Sequence, residues 1–437
     1  MSLLLALIAI IFAGRLILKK YHPQSVLLLT GIVLLLIAHF SGMTSLSGLV
    51  KKSTGFGPFD AFEFIRDTLS VRLGGLGLQI MLIGGFATYM SAIGASQVLV
   101  RVTSRPLQRL NSPYLLLGLA LLLGQFLSLF ISSATGLGLL LMATLYPLLT
   151  RLGCSRAAVA AVIASTCAVE FGPGSGNSVL AAKTAGIEVV NYFVQDQLPI
   201  VVPVILFIAL LHIVVQRFFD RRESGDNAAQ QMQTLTATDE ADAPIAWLFL
   251  PMLVFDSMGS VFATVVTLII AGEVFSAGLK AIGAVDALLS LSGEFGLSAA
   301  SIILLMTLIT FAISALMGSG NAAFFSFAPM VPDISRHIGS DIAVMMLPIQ
   351  ISAGIGRTLS PIAGVIIAIA GIAGVSPVDI VKRTAIPMLG GWLLMIALTF
   401  ARSGHLLAVL PWLAVLVLLM VGGYFWQRRR KQPLAVQ

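Results

Sequence analysis

Three charged residues stand where the chain is otherwise apolar: Glu170, Glu273 and Arg357. An arginine within a membrane span costs about 2.5 to 3.5 kcal/mol on insertion scales, so Arg357 must face a partner or a watery cavity. Its planar fork suits a carboxylate held through two parallel hydrogen bonds. Glu170 and Glu273 are also expensive there unless paired or protonated. Each is therefore a candidate for coupling protons to transport, and equally a candidate partner for Arg357. Near these charges lie four short interruptions of the apolar pattern: Ser132-Ser133-Ala134-Thr135-Gly136, Gly172-Pro173-Gly174-Ser175-Gly176-Asn177, Met317-Gly318-Ser319-Gly320-Asn321 and Gly356-Arg357-Thr358-Leu359-Ser360-Pro361. Half-helices starting after them, near Leu137, Ala322 and Ile362, aim positive dipole ends and free N–H groups at an anion. The candidate binding residues are Ser132, Ser133, Thr135, Gly136, Gly174, Ser175, Asn177, Gly318, Ser319, Asn321, Arg357, Thr358 and Ser360. Against this stands the plainer account in which small residues merely let helices pack closely.

The elements that must position these residues follow from composition. Of 437 residues only 10% are charged, 58% are hydrophobic, and the mean hydropathy is +1.00. A soluble domain carries about 25% charged residues, so a water-facing globule is excluded and an all-α polytopic membrane protein with roughly ten segments is expected. The net charge of +7 does not indicate nucleic acid, because the basic residues sit in short clusters between apolar runs. Cys154 and Cys167 are too few for a disulfide framework, and the five histidines show no metal-ligand spacing. The Gly172–Asn177 stretch lacks the Gly-Lys-Ser/Thr ending of a phosphate loop. Neither a cofactor nor an enzyme is expected.

Ordered matches at nearly constant spacing divide the chain into two similar halves. Ala92-Ile93-Gly94 recurs as Ala281-Ile282-Gly283, Pro173 as Pro361, Ala185-Gly186 as Ala373-Gly374, and Pro199 as Pro387. The expected organisation is N-terminal scaffold spans over 1–72 and a first repeat over 73–216, with a hairpin at 114–149 and a broken helix at 157–187. A polar cytoplasmic linker at 217–243 leads to a second repeat over 257–401, with its hairpin at 299–331 and broken helix at 342–372. An additional span and basic tail occupy 404–437. The opening run lacks a basic leader region and a small-residue cleavage site, so it reads as a retained first span.

Lysine and arginine set the orientation. Arg15, Lys19 and Lys20 place the first connection inside, with the N-terminus periplasmic. Basic residues flank the tract from Tyr114 to Leu149 at both ends, as a re-entrant hairpin entering from the cytoplasm requires. In the second half the span ending at Ile282 emerges beside Asp286 and Glu294, so the hairpin that follows enters from the other side. The two repeats are thus expected to have inverted topology, the pattern of a secondary transporter. The residues alone leave open a carrier for any small anion, or an anion channel.

Several strings narrow that choice by resemblance. NSPYLL (Asn111 to Leu116), SSATGLGLLLMATLYP (Ser132 to Pro147), IAGEVF (Ile270 to Phe275), MGSGNAAFFSFAPMVP (Met317 to Pro332), GRTLSP (Gly356 to Pro361) and VKRTAIPM (Val381 to Met388) closely resemble the anaerobic C4-dicarboxylate carriers of the Dcu C/D type. The likeness covers roughly residues 1 to 220 and 256 to 400. It implies a multi-pass carrier of the bacterial inner membrane for fumarate, succinate, malate or aspartate, acting by exchange or succinate efflux. The wider ion-transporter superfamily it is similar to implies paired re-entrant hairpins and two broken helices in an elevator-type transport domain, beside a scaffold that often dimerises. On that likeness Ser132 to Gly136 and Met317 to Asn321 are the hairpin tips. Coupling is expected to protons or sodium, and a homodimer is an expected assembly. The short apolar run from Ile245 to Phe255 departs from the family, whose members carry additional segments there.

The charge pattern makes a direct prediction. Alkaline phosphatase fused after Glu188 is expected to be active, and the same reporter fused after Gln437 inactive; the reverse activities would refute the orientation.

Overall fold

The computed structural model describes residues 2–104, 112–131, 133–223, 250–294 and 298–417, and every regular element among them is helical. Ser132, residues 224–243 of the expected linker, and residues 418–437 of the expected last span and tail lie outside the described residues.

The first two helices are α1 (Ser2–Leu18) and α2 (Pro23–Phe40). A long element then runs as α3 (Gly57–Arg72), a π-helical turn at Leu73–Gly77, and α4 (Leu78–Ala92). It begins well before Leu73, where the apolar pattern starts. The first part carries Asp60, Glu63, Arg66, Asp67 and Arg72, which lower its hydropathy without breaking the helix. Next come α5 (Ala95–Ser104), α6 (Pro113–Ser128), α7 (Ala134–Arg151), α8 (Arg156–Ser165), α9 (Gly176–Ala185), the short α10 (Val189–Asn191) and α11 (Leu198–Glu223).

The second half has α12 (Leu250–Val261), a π-helical turn at Phe262–Val266, α13 (Thr267–Ala281), α14 (Ala284–Glu294), α15 (Ala299–Met317), α16 (Gly320–Phe327), α17 (Val331–Ile338), α18 (Ile342–Thr358), α19 (Gly364–Ala373) and α20 (Pro377–Arg402). A last apolar helix covers Leu406–Val417. Seven helices among the described residues are long and apolar enough to cross a membrane, and six shorter apolar ones accompany them.

The element boundaries keep the spacing seen in the sequence. The π-turns at Leu73–Gly77 and Phe262–Val266, and the helices α4 and α13 that follow them, begin 189 positions apart, at Leu73 and Phe262 and at Leu78 and Thr267; a third π-helical segment, Tyr192–Gln197, leads into α11. Similarly, α9 and α19 begin and end 188 positions apart. Gly186 and Gly374 end those two helices in the left-handed conformation (φ 71° and 65°), a cap that only a residue without Cβ adopts cheaply. A π-turn frees a carbonyl and widens the helix. The two matched π-turns pack on each other.

Close backbone approach holds the first layer together. A Cβ on Gly31 would sit 2.6 Å from Phe275 N, and one on Gly278 would sit 2.8 Å from Gly31 O, so α2 and α13 touch main chain to main chain. Where α4 meets α12, Gly84 lies under Val261, and Thr88 Oγ1 meets Ser257 Oγ at 2.7 Å. In the second layer α6 and α7 form one helical hairpin, and α15, α16 and α17 form the other. The interrupted pairs α8/α9 and α18/α19 pack between these hairpins and the long α11 and α20. Trp392 of α20 is buried, stacks on Phe311 of α15 at 4.4 Å and donates to Ser352 of α18 at 2.7 Å.

Gly31→Ala is expected to destabilise the protein by about 1–3 kcal/mol through overpacking. Gly14→Ala, on α1 with nothing within 4 Å, is expected to be neutral or slightly stabilising. Thermal unfolding in detergent compares the two.

Candidate functional site

The first interruption is made by residues that satisfy their own backbone. Thr166 Oγ1 donates to Ile163 O at 2.6 Å, and α8 stops at Ser165, so the chain from Thr166 to Ser175 is non-helical. Glu170, whose sequence position suggests the end of a helix before the break, lies inside it. The second interruption is shorter. Arg357 and Thr358 are the last two residues of α18, where a cation opposes the negative end of the helix dipole.

Glycine lets the two interruptions meet. A Cβ on Gly354 would stand 2.3 Å from Ala168 O, so α18 lies directly on the first break. A Cβ on Gly320 would stand 2.8 Å from Ala353 O, and one on Gly318 (φ 67°) 3.0 Å from Ala363 N, which seats the tip of the second hairpin against the second break. The first hairpin tip reaches the first break through Ala134 O, which accepts from Cys167 Sγ at 3.5 Å.

At this meeting point the charges pair. Arg357 Nη1 donates to Glu170 Oε1 at 2.6 Å and Nη2 donates to Cys167 O at 2.5 Å. Asn177 Nδ2 donates to the other carboxylate oxygen, Glu170 Oε2, at 2.5 Å and to Asn321 Oδ1 at 3.1 Å. Asn177 and Asn321 are each the second residue of a helix, α9 and α16, from opposite halves of the chain. Arg357 is 9% exposed and Ser360 is 1% exposed, yet Arg357 Nε and Ser360 Oγ find no hydrogen-bond partner among the described residues. Unsatisfied buried polar atoms cost about 1–3 kcal/mol each, and these two belong to residues three positions apart in the second interruption.

The remaining predicted residues divide. Ser133 and Ser319 cap α7 and α16, accepting from Gly136 N at 3.1 Å and Ala322 N at 3.2 Å. Ser133, Thr135 and Gly136 are exposed. Gly174 and Ser175 lie at the start of α9, and Ser175 lines a narrow cleft of about 30 Å³ beside Glu170, with Ser128, Ile131, Ala134, Cys167, Val169 and Phe171. That volume suits a water molecule rather than a four-carbon diacid. Thr358 is occupied within its own helix, donating to Gly354 O at 3.1 Å. Glu273 belongs elsewhere: Arg72 Nε and Nη2 donate to its two oxygens at 2.6 and 2.9 Å, between α3 and α13.

One group at the centre escapes the motif reading. Gln350 Nε2 donates to Glu170 O at 2.9 Å and Ser178 Oγ at 3.0 Å, while its Oε1 accepts from Tyr192 at 3.1 Å and Gln197 at 3.3 Å. Gln197 Oε1 in turn accepts from Gly172 N at 2.9 Å. This buried amide network fixes the main chain of the break that presents Glu170. A lone glutamine within the apolar run Met345–Ile351 was the available signal.

Comparison with known proteins gives the family. The model of the family described as C4-dicarboxylate anaerobic carrier, DcuC, matches residues 1–258 and 254–404, which include all four interruptions. The chain belongs to the DcuC family. Among DcuC-family relatives, the anaerobic C4-dicarboxylate transporter DcuC of Escherichia coli strain K12 is 34% identical over 447 residues, covering 91% of this chain and 96% of that protein. A probable anaerobic C4-dicarboxylate transporter DcuC of Vibrio cholerae is 34% identical over 443 residues, covering 90% and 95%. A putative uncharacterized transporter of Haemophilus influenzae is 46% identical over 135 residues, 30% of this chain and 46% of that protein.

Breaking one side of a buried ion pair costs about 3–5 kcal/mol because the other charge is stranded. Arg357→Ala is therefore expected to lower stability by about that amount, and Arg357→Ala/Glu170→Ala to recover much of it. A double-mutant cycle from thermal unfolding measures the coupling, and additive effects would show that the pair is not bound as described.

Proposed function

We propose that this DcuC-family chain is a secondary transporter, not an enzyme, that binds a C4-dicarboxylate such as fumarate, succinate, malate or aspartate where the four interruptions meet. The observation that carries the reading is Arg357. Arg357 is nine-tenths buried between both halves of the chain, and among the described residues its Nε and Oγ of the nearby Ser360 have no partner. A planar cation with an open donor edge recognises a carboxylate. The second carboxylate of the diacid falls to the N–H groups and side chains at the starts of α9 and α16, with Asn177 and Asn321 between them. Both relatives that cover almost the whole chain bear C4-dicarboxylate transport in their names.

The movement follows from the repeat. On this reading the two halves are inverted repeats, the hairpins α6–α7 and α15–α17 are re-entrant, and the second layer moves as one body against the first in an elevator-like step. Matching element boundaries support it, as does one contact made twice. Arg72 meets Glu273, and the positions 189 residues from them, Val261 and Gly84, also meet. Exposed Ser133, Thr135 and Gly136 make the first hairpin tip the natural gate. Multi-pass insertion in the bacterial inner membrane, with the N-terminus periplasmic and the C-terminus cytoplasmic, and a homodimer through the first layer complete the proposal. It needs no organic cofactor, and among the described residues no group of three or more His, Cys, Asp or Glu could hold a metal. Coupling is assigned to protons or sodium.

Purified protein in liposomes preloaded with succinate is expected to drive counterflow of labelled succinate, with competition by fumarate, malate and aspartate but not by lactate. Arg357→Ala is expected to reduce counterflow by roughly 10- to 100-fold, the worth of one or two charge-assisted hydrogen bonds. Equal competition by monocarboxylates, or full counterflow without Arg357, would refute the assignment. Imposed sodium and pH gradients identify the coupled cation.

A further inference from the structure

Glu170 sits where a substrate carboxylate would sit. Its Oε1 accepts from Arg357 Nη1 at 2.6 Å, the contact that a bound diacid needs, and its Oε2 accepts from Asn177 at 2.5 Å. Gln350 holds its main-chain oxygen at 2.9 Å, so the backbone is fixed while the side chain keeps its rotatable bonds. That side chain is 19% exposed and borders the cleft lined by Ser128 and Ser175, which gives it somewhere to move.

A carrier must return its site across the membrane, and the state of the site on the return journey decides what the carrier does. A loaded site brings Arg357 over with a carboxylate attached. An empty site carrying a bare buried guanidinium would face the full cost of an unpaired charge away from water. Without an internal counter-charge only the loaded form would cross, and the protein would be restricted to exchanging one diacid for another.

We infer that Glu170 is an internal substitute for the substrate carboxylate: it neutralises Arg357 in the empty carrier and so permits net, one-way transport in addition to exchange. When a diacid arrives one of its carboxylate oxygens takes Nη1 of Arg357, and Glu170 swings toward the cleft while Asn177 keeps its other oxygen hydrogen-bonded. The extra negative charge falls to the helix N-termini and to the coupled cation. The inference rests on the placement of the diacid at Arg357 proposed above. It adds that Glu170 competes with the substrate and sets the ratio of net flux to exchange.

The test is Glu170→Gln in liposomes, measuring labelled succinate leaving into buffer without external diacid (net efflux) and with saturating external succinate (exchange). The ratio of the two rates cancels a general loss of activity. The expected result is a fall of at least about tenfold in that ratio, together with a lower half-saturation concentration for external succinate, because the competitor for the guanidinium is gone. Glu170→Asp, which keeps the charge, is expected to restore the ratio to within a few-fold of the natural protein, and Glu170→Ala to behave like Glu170→Gln. An unchanged ratio in both neutral variants, or a raised half-saturation concentration, overturns the inference. Should the unaltered protein show no diacid counterflow at all, the fault lies instead with the function proposed above.

Discussion

A guanidinium and a carboxylate removed from water each lose several kcal/mol of solvation, and their attraction repays this only when the geometry is close and the remaining donors and acceptors are used. The Arg357–Glu170 pair meets part of that condition. Both oxygens of Glu170 are bonded, and both terminal nitrogens of Arg357 donate, one to the carboxylate and one to Cys167 O. Among the described residues, Nε of the arginine has no partner. On the proposed function, this half-satisfied arrangement leaves a donor with which to bind a carboxylate.

Holding it requires main chain where most membrane proteins have side chain. Gly354 and Gly320 bring carbonyls and Cα atoms within a distance that even a methyl group would violate. The first break, α18 and the tip of the second hairpin therefore meet main chain to main chain. Gln350, Gln197, Ser178 and Tyr192 then tie the loop of the first break to α18. On the proposed movement, such fixing is what would let the second layer move as one body.

Much of this was legible in the chain. The hydropathy and the scarcity of charge required a bundle of membrane helices, and the helix boundaries keep the spacing of the small residues that mark them. Half-helix starts expected near Leu137, Ala322 and Ile362 appear at Ala134, Gly320 and Gly364. Glycine, proline and capping serine act on neighbours a few residues away, so their effects are written locally. The charged α3 does not stand out in hydropathy, which sees composition, whereas a helix needs only tolerable propensity and a partner for each charge. Gln350 was passed over because a single amide carries no motif.

What the sequence determined by itself was the kind of solvent the chain lives in, the order of most of its helices, and the few expensive residues that had to be answered by something. Which of them answer one another was decided only by the tertiary structure. Glu170 and Glu273 have the same chemistry and the same intramembrane cost, yet one faces Arg357 and the other Arg72. Local pattern cannot separate them, because electrostatic pairing depends on distance in space across 187 and 201 positions of chain, and that distance is set by how the helices pack.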